Sequence, residues 1–533
     1  MKNTMMRQKG QLNINSATAF LLVVGIVIVL NLVSLNMFQR LDLTEGHVFS
    51  LSKASKEAVR DLDDRLIVKA YFSADLPPPY NNQARYLKDK LDEYKAYSKG
   101  KFQYEFIDPG SEEKLEKEAR SYRIPPLQVN AVEEDKIEIK QVYMGLAMLY
   151  EDKSEVMPVI RRVQGLEYDL TAAIKRITSM ELMSVGFLTG HDEPDLMKDL
   201  SNISGSLQRQ YTVIPVNLSD GSMVPENVAV LIIAAPQSPF SEWEKYAIDQ
   251  YIMGGGKVAF LIDKVKADIS TSTAEPLTLE LDDWLRSYGI SIHNDLIYDA
   301  LNTPINITRR QGFITISNQI NYPFFPKVTT FNRANAIVKD LENMSLYFVS
   351  SLDTNAASIQ GLEIEPLAYS SAKSGVQRGR YDINPLQHTF QPLPYNQRHF
   401  VLAAAIKGTF KSFFADKDIP QVEGGAVETL DKLTESVENR MIVVGDGDFV
   451  RDAYRMNQSS VTFFLNIVDW LAQDEDLIAI RSKTITDRPL KEISPGSRKA
   501  VKYVNVLGTP FLVIVVGLIH WRMRRSKKRG ILL

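Results

Sequence analysis

The sequence predicts an α/β protein built on a doubly wound, largely parallel sheet with a second α/β domain before it. Three observations carry that expectation. Val228 to Ala235 (VAVLIIAA) and Val258 to Ile262 (VAFLI) are unbroken apolar runs of strand length, the pattern of strands buried on both faces. Between them Ser241 and Glu244 form an S-x-x-E capping box, in which hydroxyl and carboxylate satisfy two first-turn N–H groups reciprocally and start a helix. Ala247, Ile248, Tyr251 and Ile252 share one face of that helix, and Gly254, Gly255 and Gly256 supply positive-φ positions that end it. Strand, helix and strand in this order form a right-handed crossover unit.

Length and composition set the frame. A chain of 533 residues with 44% hydrophobic content has room for about three domains. Its net charge of −3 is the balance of 62 basic and 65 acidic residues, which excludes a general nucleic-acid binder. Cysteine is absent, so disulfides, thiolate metal sites and cysteine nucleophiles are excluded together.

Residues 1–16 are polar, with Lys2, Arg7 and Lys9, and residues 17–38 form an apolar run long enough to span a bilayer. That run exceeds the apolar core of a cleaved signal peptide, and SLNMFQR at its end offers no small-residue cleavage site. A second span is expected over 503–521, between the interfacial aromatics Tyr503 and Trp521. The tail 522–533 carries Arg522, Arg524, Arg525, Lys527, Lys528 and Arg529. Cations at these ends set both termini in the cytoplasm and residues 40–500 on the outer side of the membrane.

The first outer domain, 40–182, begins with Ser50 or Ser52 capping a short helix through Val59. LIVKAYFS reads as a strand, 81–98 as a helix, KFQYEFIDP as an alternating strand and about 111–122 as a helix. Pro125 and Pro126 precede LQV; QVYMGLAMLY and SEVMPVI then pair as a hairpin, and a helix covers Leu166 to Met180. This order resembles a thioredoxin-like domain. The loop SADLPPPY holds no cysteine, so redox chemistry is excluded.

The second domain, 183–480, has strands at SVGFLT, YTVIPVN, VAVLIIAA, KVAFLID and MIVVG, and helices near 194–210, 241–253, 277–288 and 460–472. An insertion over about 300–436 interrupts it. Residues 345–354, 362–371 and 398–410 alternate like antiparallel strands, either as a sheet of their own or as an extension of the main one. The polar, acidic tract 415–438 reads as a mobile loop, and 481–502 as a linker to the second span.

No motif carries chemistry. Gly256-Lys257 fails as a P-loop, because Tyr251 stands where the first Gly belongs and Val258 replaces the Ser or Thr. An ATPase must therefore be another chain. Gly445-Asp446-Gly447-Asp448 is half of a dinucleotide fingerprint, but Val450 replaces the third Gly and two carboxylates would repel a pyrophosphate. Asp446, Asp448 and Asp452 lack the Gly and twelfth-position Glu of a calcium loop. Hence no cofactor, no metal and no catalytic residue is assigned.

One positional constellation remains. Parallel strands open their carboxyl ends on one side, where doubly wound sheets bind ligands, and this brings His191, Glu193, Asp263, Asp446 and Asp448 to one edge. Either these residues cap helices and order loops, or they bind a ligand or partner. Crowding of the four carboxylates is expected to raise at least one pKa and to favour a cationic or hydroxyl-rich ligand.

Several stretches in fixed order resemble one family: LTEGHVFSLS, FLTGHDEP, LIIAAPQSPFSEWEKYAIDQYIMGGGKVAFLID, LRSYGISIHNDLIYD, RMIVVGDGDFV and FFLNIVDWLAQDEDLIAIRSK. They are similar to the gliding-motility-associated auxiliary subunits of ABC transporters, the GldG family. The resemblance implies a non-catalytic, membrane-anchored periplasmic subunit working with a separate ABC ATPase and a separate multi-span permease. It also implies that the second domain is similar to class I glutamine amidotransferase-like domains, without their chemistry. Members fused to permease helices differ from this chain, which has two expected spans. The rival readings are a membrane-tethered hydrolase acting on envelope glycan near His191, Glu193 and Asp263, and a structural scaffold.

Overall fold

The computed structural model describes residues 50–478 apart from 79, 134–135, 161–162, 164, 180–182, 312–313, 355–360, 391–392, 397–398, 422–430, 455–457 and 473–477, together with Ile480 and single positions 22, 24, 25, 502 and 517. Apart from those single positions, the expected spans, linker and tail lie outside the described residues. Among the described residues no helix is long and apolar enough to cross a membrane.

The first domain runs α1 (Lys53–Arg60), β1 (Leu66–Phe72), α2 (Asn81–Tyr97), β2 (Phe102–Ile107), α3 (Glu113–Ser121), β3 (Leu127–Glu133), β4 (Lys136–Val142), β5 (Met144–Tyr150), β6 (Lys153–Met157) and α4 (Leu166–Thr178). Of the two serines offered as a cap, Ser52 is the one used, its hydroxyl accepting from the Ser55 N–H at 3.1 Å. The sheet order is β2-β1-β5-β6, with β1 parallel to β2 and antiparallel to β5. Leu66, Val68, Ala70 and Phe72 of β1 pack with Val59, Leu91, Tyr94 and Leu170 on one face. Tyr71 packs with Ala119, Ile124 and Tyr143 on the other. QVYMGLAMLY is two strands rather than one. The Tyr143 backbone exchanges bonds with Ser73 instead, at 3.1 and 2.9 Å, and this breaks the run into β4 and β5. Under the sheet, Glu167 of α4 accepts from the Ser52 N–H at 2.6 Å and the Ser55 hydroxyl at 2.8 Å and lies 3.4 Å from Lys90 Nζ, joining α1, α2 and α4.

The second domain begins with β7 (Ser184–Thr189), α5 (Ser201–Leu207), β8 (Thr212–Asn217), β9 (Val228–Ala234), α6 (Glu242–Met253), β10 (Lys257–Leu261), the hairpin β11 (Val265–Asp268) and β12 (Thr273–Pro276), and α7 (Asp282–Ser287). The insertion supplies β13 (Ser291–Ile292), β14 (Asp295–Asp299), β15 (Asn302–Gln311), β16 (Ile314–Val328), β17 (Thr330–Phe331), β18 (Met344–Ser345), β19 (Leu352–Asp353), β20 (Leu362–Tyr369), β21 (Ser374–Arg378), α8 (Pro385–Phe390) and β22 (Val401–Lys411). β23 (Glu435–Val444) and α9 (Gln458–Leu471) complete it.

The five strands expected to be parallel lie side by side as β8-β7-β9-β10-β23, all parallel. In chain order that is 2-1-3-4-5, one of the two common doubly wound orders, with its switch point between β7 and β9. Val230, Ile232 and Ala234 of β9 pack with α5 and α9 on one face. Leu231 and Ile233 pack with Ala247 and Ile248 of α6 and Trp284 of α7 on the other. Double-sided cover is why these strands read as unbroken apolar runs.

The insertion both extends this sheet and builds its own. β22 pairs antiparallel with β23, and β20 and β19 pair with β22, whereas β14–β21 and β15–β16 form separate pairs. Several expectations are corrected. The helix near 194–210 starts only at Ser201, because the Asp195 side chain bonds the Met197 and Lys198 N–H groups in a turn. The helix near 277–288 starts at Asp282, after Glu280 at a φ of 57°. Residues 345–354 contribute only two short bridges, and Phe348 between them has a φ of 54°. Residues 435–438, assigned to a mobile loop, pair with β22 as the start of β23. Of the three glycines after α6 only Gly255 has positive φ; Gly256 is needed because a Cβ there would lie 2.3 Å from the Tyr251 ring.

Candidate functional site at the carboxyl edge of the main sheet

The loop after β23 crosses the ends of β9 and β10 at a distance only glycine permits. A Cβ on Gly447 would lie 2.6 Å from the Ala235 backbone and from the Leu261 carbonyl, and one on Gly445 would lie 2.1 Å from the Ser350 carbonyl. This crossing brings three aspartates together. Asp263, just after β10, accepts from the Gly447 N–H at 2.7 Å. Asp446 accepts from the Tyr347 N–H at 2.6 Å and from the Asp448 and Phe449 N–H groups at 2.7 and 3.1 Å. Asp448 pairs with Arg451 at 2.9 Å and accepts from the Tyr454 hydroxyl at 3.1 Å. Burial raises the pKa of all three. The charge of Asp448 adds to the rise at Asp263 and Asp446, while Arg451 opposes it at Asp448.

His191 stands in a different setting, in the turn after β7. Its ring stacks on Phe240 with centroids 4.0 Å apart and planes 10° apart. Nδ1 lies 3.1 Å from Glu193 and Nε2 lies 3.2 Å from Glu244. The His191 carbonyl accepts from the Gln237 and Ser238 N–H groups at 2.7 and 3.2 Å, and its N–H donates to Glu193 at 2.6 Å. Burial disfavours the imidazolium, but hydrogen bonds to both carboxylates, and their charges, hold its pKa up at about 9. Burial likewise works against the Glu244 carboxylate, yet His191 and Ser241 hold its pKa down at about 2. Glu244 is also half of the α6 capping box, which the structure forms as the sequence predicts. One carboxylate therefore caps a helix and clamps a histidine on the neighbouring loop.

The expected constellation thus divides in two. Asp263, Asp446 and Asp448 feel one another's charge; His191 and Glu193 join Glu244 instead. Pairwise strand order explains the division, since β9 lies between β7 and β10. Sequence reasoning read Glu244 only as a cap and did not name Arg451 or Tyr454; the D-x-x-R spacing of Asp448 and Arg451 was the available signal. Asp452, weighed as a calcium ligand, accepts from the Ser201 and Asn202 N–H groups at 2.8 and 3.3 Å and so caps α5 from across the edge. Among the described residues no group of three or more acidic or histidine side chains is arranged to hold a metal ion. Both nitrogens of His191 face carboxylates, a geometry suited to holding an imidazolium in place rather than to accepting a proton from a substrate.

Comparison with known proteins bears on this edge. Residues 183–473 match the model of the auxiliary family described as an ABC-type uncharacterized transport system. Residues 45–149 match a domain of unknown function. An uncharacterized protein of Borreliella burgdorferi is 22% identical over 524 residues, which span 93% of this chain and 95% of that protein. Among solved structures, the mmIFT52 N-terminal domain aligns with 12% identity and a TM-score of 0.32, covering 54% of this chain and 97% of that one.

Proposed function

Because the chain belongs to the family described as an ABC-type uncharacterized transport system, we propose that it is a membrane-anchored, non-catalytic auxiliary subunit of the GldG type. It works beside a separate ABC ATPase and a separate multi-span permease and presents its two α/β domains on the periplasmic side. The apolar stretches 17–38 and 503–521 with their flanking cations support the anchoring and the orientation. The β2-β1-β5-β6 sheet with helices on both faces supports the thioredoxin-like reading, and the 2-1-3-4-5 strand order the amidotransferase-like one.

One observation carries the non-catalytic part. His191, which with Glu193 and Asp263 marks the region of the rival hydrolase, is held as a cation between Glu193 and Glu244, and a protonated imidazole is no general base.

Purification of the tagged full chain from detergent extracts tests the reading. ATPase and permease should co-purify, and ATP turnover should require them. Turnover by the chain alone, lost on substituting one of its own residues, overturns the proposal. A reporter at residue 420 that is active only in the cytoplasm overturns the orientation.

A further inference from the structure

The chain leaving β22 returns over α6 and is fastened there. Asp249 of α6 accepts from the Ser412 hydroxyl at 2.6 Å and from the Phe413 N–H at 3.0 Å. Gln250 exchanges two bonds with the Leu433 backbone, at 3.0 and 2.7 Å. The Lys432 ammonium donates to the carbonyls of Phe414, Ala415 and Lys417 at 3.1, 2.9 and 2.9 Å. Residues 415–417, read from composition as part of a mobile loop, thus belong to a built wall.

Against that wall lies an aromatic cluster separate from the main cores. Trp243, Tyr246 and Phe414 are buried in it, and Met223, Phe413 and Ile419 are half-buried at its rim. Trp243 and Tyr246, one turn apart on α6, have ring centroids 5.6 Å apart. Tyr246 meets Phe414 edge to face at 5.4 Å, and Phe414 meets Phe413 likewise at 5.1 Å. Two polar atoms of this cluster stand unsatisfied. The Trp243 indole N–H and the Tyr246 hydroxyl are buried, in residues 8% and 0% exposed, and neither has a hydrogen-bond partner among the described residues. Tryptophan and tyrosine buried in this way ordinarily find an acceptor, because a buried donor without one costs stability. The carboxylate on the next turn, Asp249, is taken by Ser412, Phe413 and Tyr288.

The ring faces carry a second signal. The Lys417 ammonium lies 3.1 Å from the Phe413 ring centroid and 5.4 Å from that of Phe414, so this pair of rings already holds an alkylammonium. Asp416 and Asp418 on either side of Lys417 are exposed, and the Glu242 side chain beside Trp243 is 60% exposed.

The geometry points to this cluster as the docking site of a cationic peptide segment of a partner protein. A lysine or arginine of the segment replaces Lys417 on Phe413 and Phe414 among the rim carboxylates. Backbone carbonyls of the same segment accept from Trp243 and Tyr246 once the Met223 and Ile419 side chains turn aside. A peptide is the occupant that supplies a cation and neutral acceptors together. An anion is repelled by the rim, and a sugar leaves the ammonium position unused. Docking here is independent of the ATPase and the permease.

Fluorescence anisotropy with the detergent-purified full chain tests the proposal, using labelled octapeptides of alternating lysine and glycine and of alternating glutamate and glycine. The lysine peptide should bind and the glutamate peptide should not. Lys417→Met keeps the stem and removes the competing charge, and should tighten binding by about threefold or more, the worth of an exposed cation–π contact. Trp243→Phe with Tyr246→Phe should weaken binding by roughly fivefold or more while the melting temperature holds or rises, since two unpaired donors leave the interior. A merely structural cluster gives the same melting behaviour with binding unchanged, and that result overturns the proposal. So does a lysine peptide whose binding ignores all three substitutions, which is general attraction to an acidic surface, or one that binds more weakly than cellotriose. Should the double variant lose its fold, Lys417→Met decides alone, because that side chain is exposed: unchanged or weaker binding then overturns the proposal.

Discussion

His191 is charged because of its partners and in spite of its burial. Its pKa rises from 6.5 to about 9 on folding, so its contribution to stability is complete below about pH 6.5 and is lost as pH rises through 9. With some solvent access at the loop, that contribution is on the order of 2 kcal/mol. Melting between pH 6 and pH 10 should show this alkaline loss in the native chain and a shallower one in His191→Gln. Identical pH profiles would refute the assignment. Of this cluster, sequence reasoning reached His191 and Glu193, two residues apart in one turn. It missed that Glu244, 53 positions on, closes the ring from the other side, because only packing of α6 against the β7 turn brings it there.

At the scale of the element, the loop after β23 behaves as a strap over the end of β10, and its Asp446 does different work from the Asp263 it crosses. Asp446→Ala deprives the Tyr347, Asp448 and Phe449 N–H groups of their acceptor, and each buried N–H left unpaired costs about 1–3 kcal/mol. Asp263→Asn keeps an oxygen for the Gly447 N–H and removes a charge that burial, Asp448 and Asp446 all disfavour, so stability should hold or rise by about 1 kcal/mol. Denaturant midpoints separate the two, and equal losses would sink this account. The five parallel strands were legible because cover on both faces leaves an uninterrupted apolar run. β15 and β16 escaped notice because Asn, Thr, Ser, Gln and Arg recur through both strands and break any continuous apolar run. The aspartate strap escaped for another reason. Its geometry depends on Ser350 and Tyr347 in the insertion, which no local pattern connects to Gly445.

Each domain of the molecule keeps cores of its own. Leu66, Leu91 and Leu170 belong to one, and the faces of β9 and β10 to the others. Among the described residues the domains meet at Ala54 and Ile480 with Tyr168 against them, at the Gln210–Tyr168 hydrogen bond, and at Arg209, 3.8 Å from Asp169. Calorimetry of the full chain should therefore resolve two heat-absorption transitions, and a single cooperative one would contradict separate cores. The placement of β23 beside β10 sets a schedule as well as a shape. Val258 lies opposite Met441, so a chain emerging from its amino end holds the apolar flank of β10 open until the whole insertion has followed. Contacts this distant form slowly, and an open apolar strand edge recruits other chains while it waits. A nascent copy stalled between those two residues is thus the form most in need of a chaperone, whatever the stability of the finished protein.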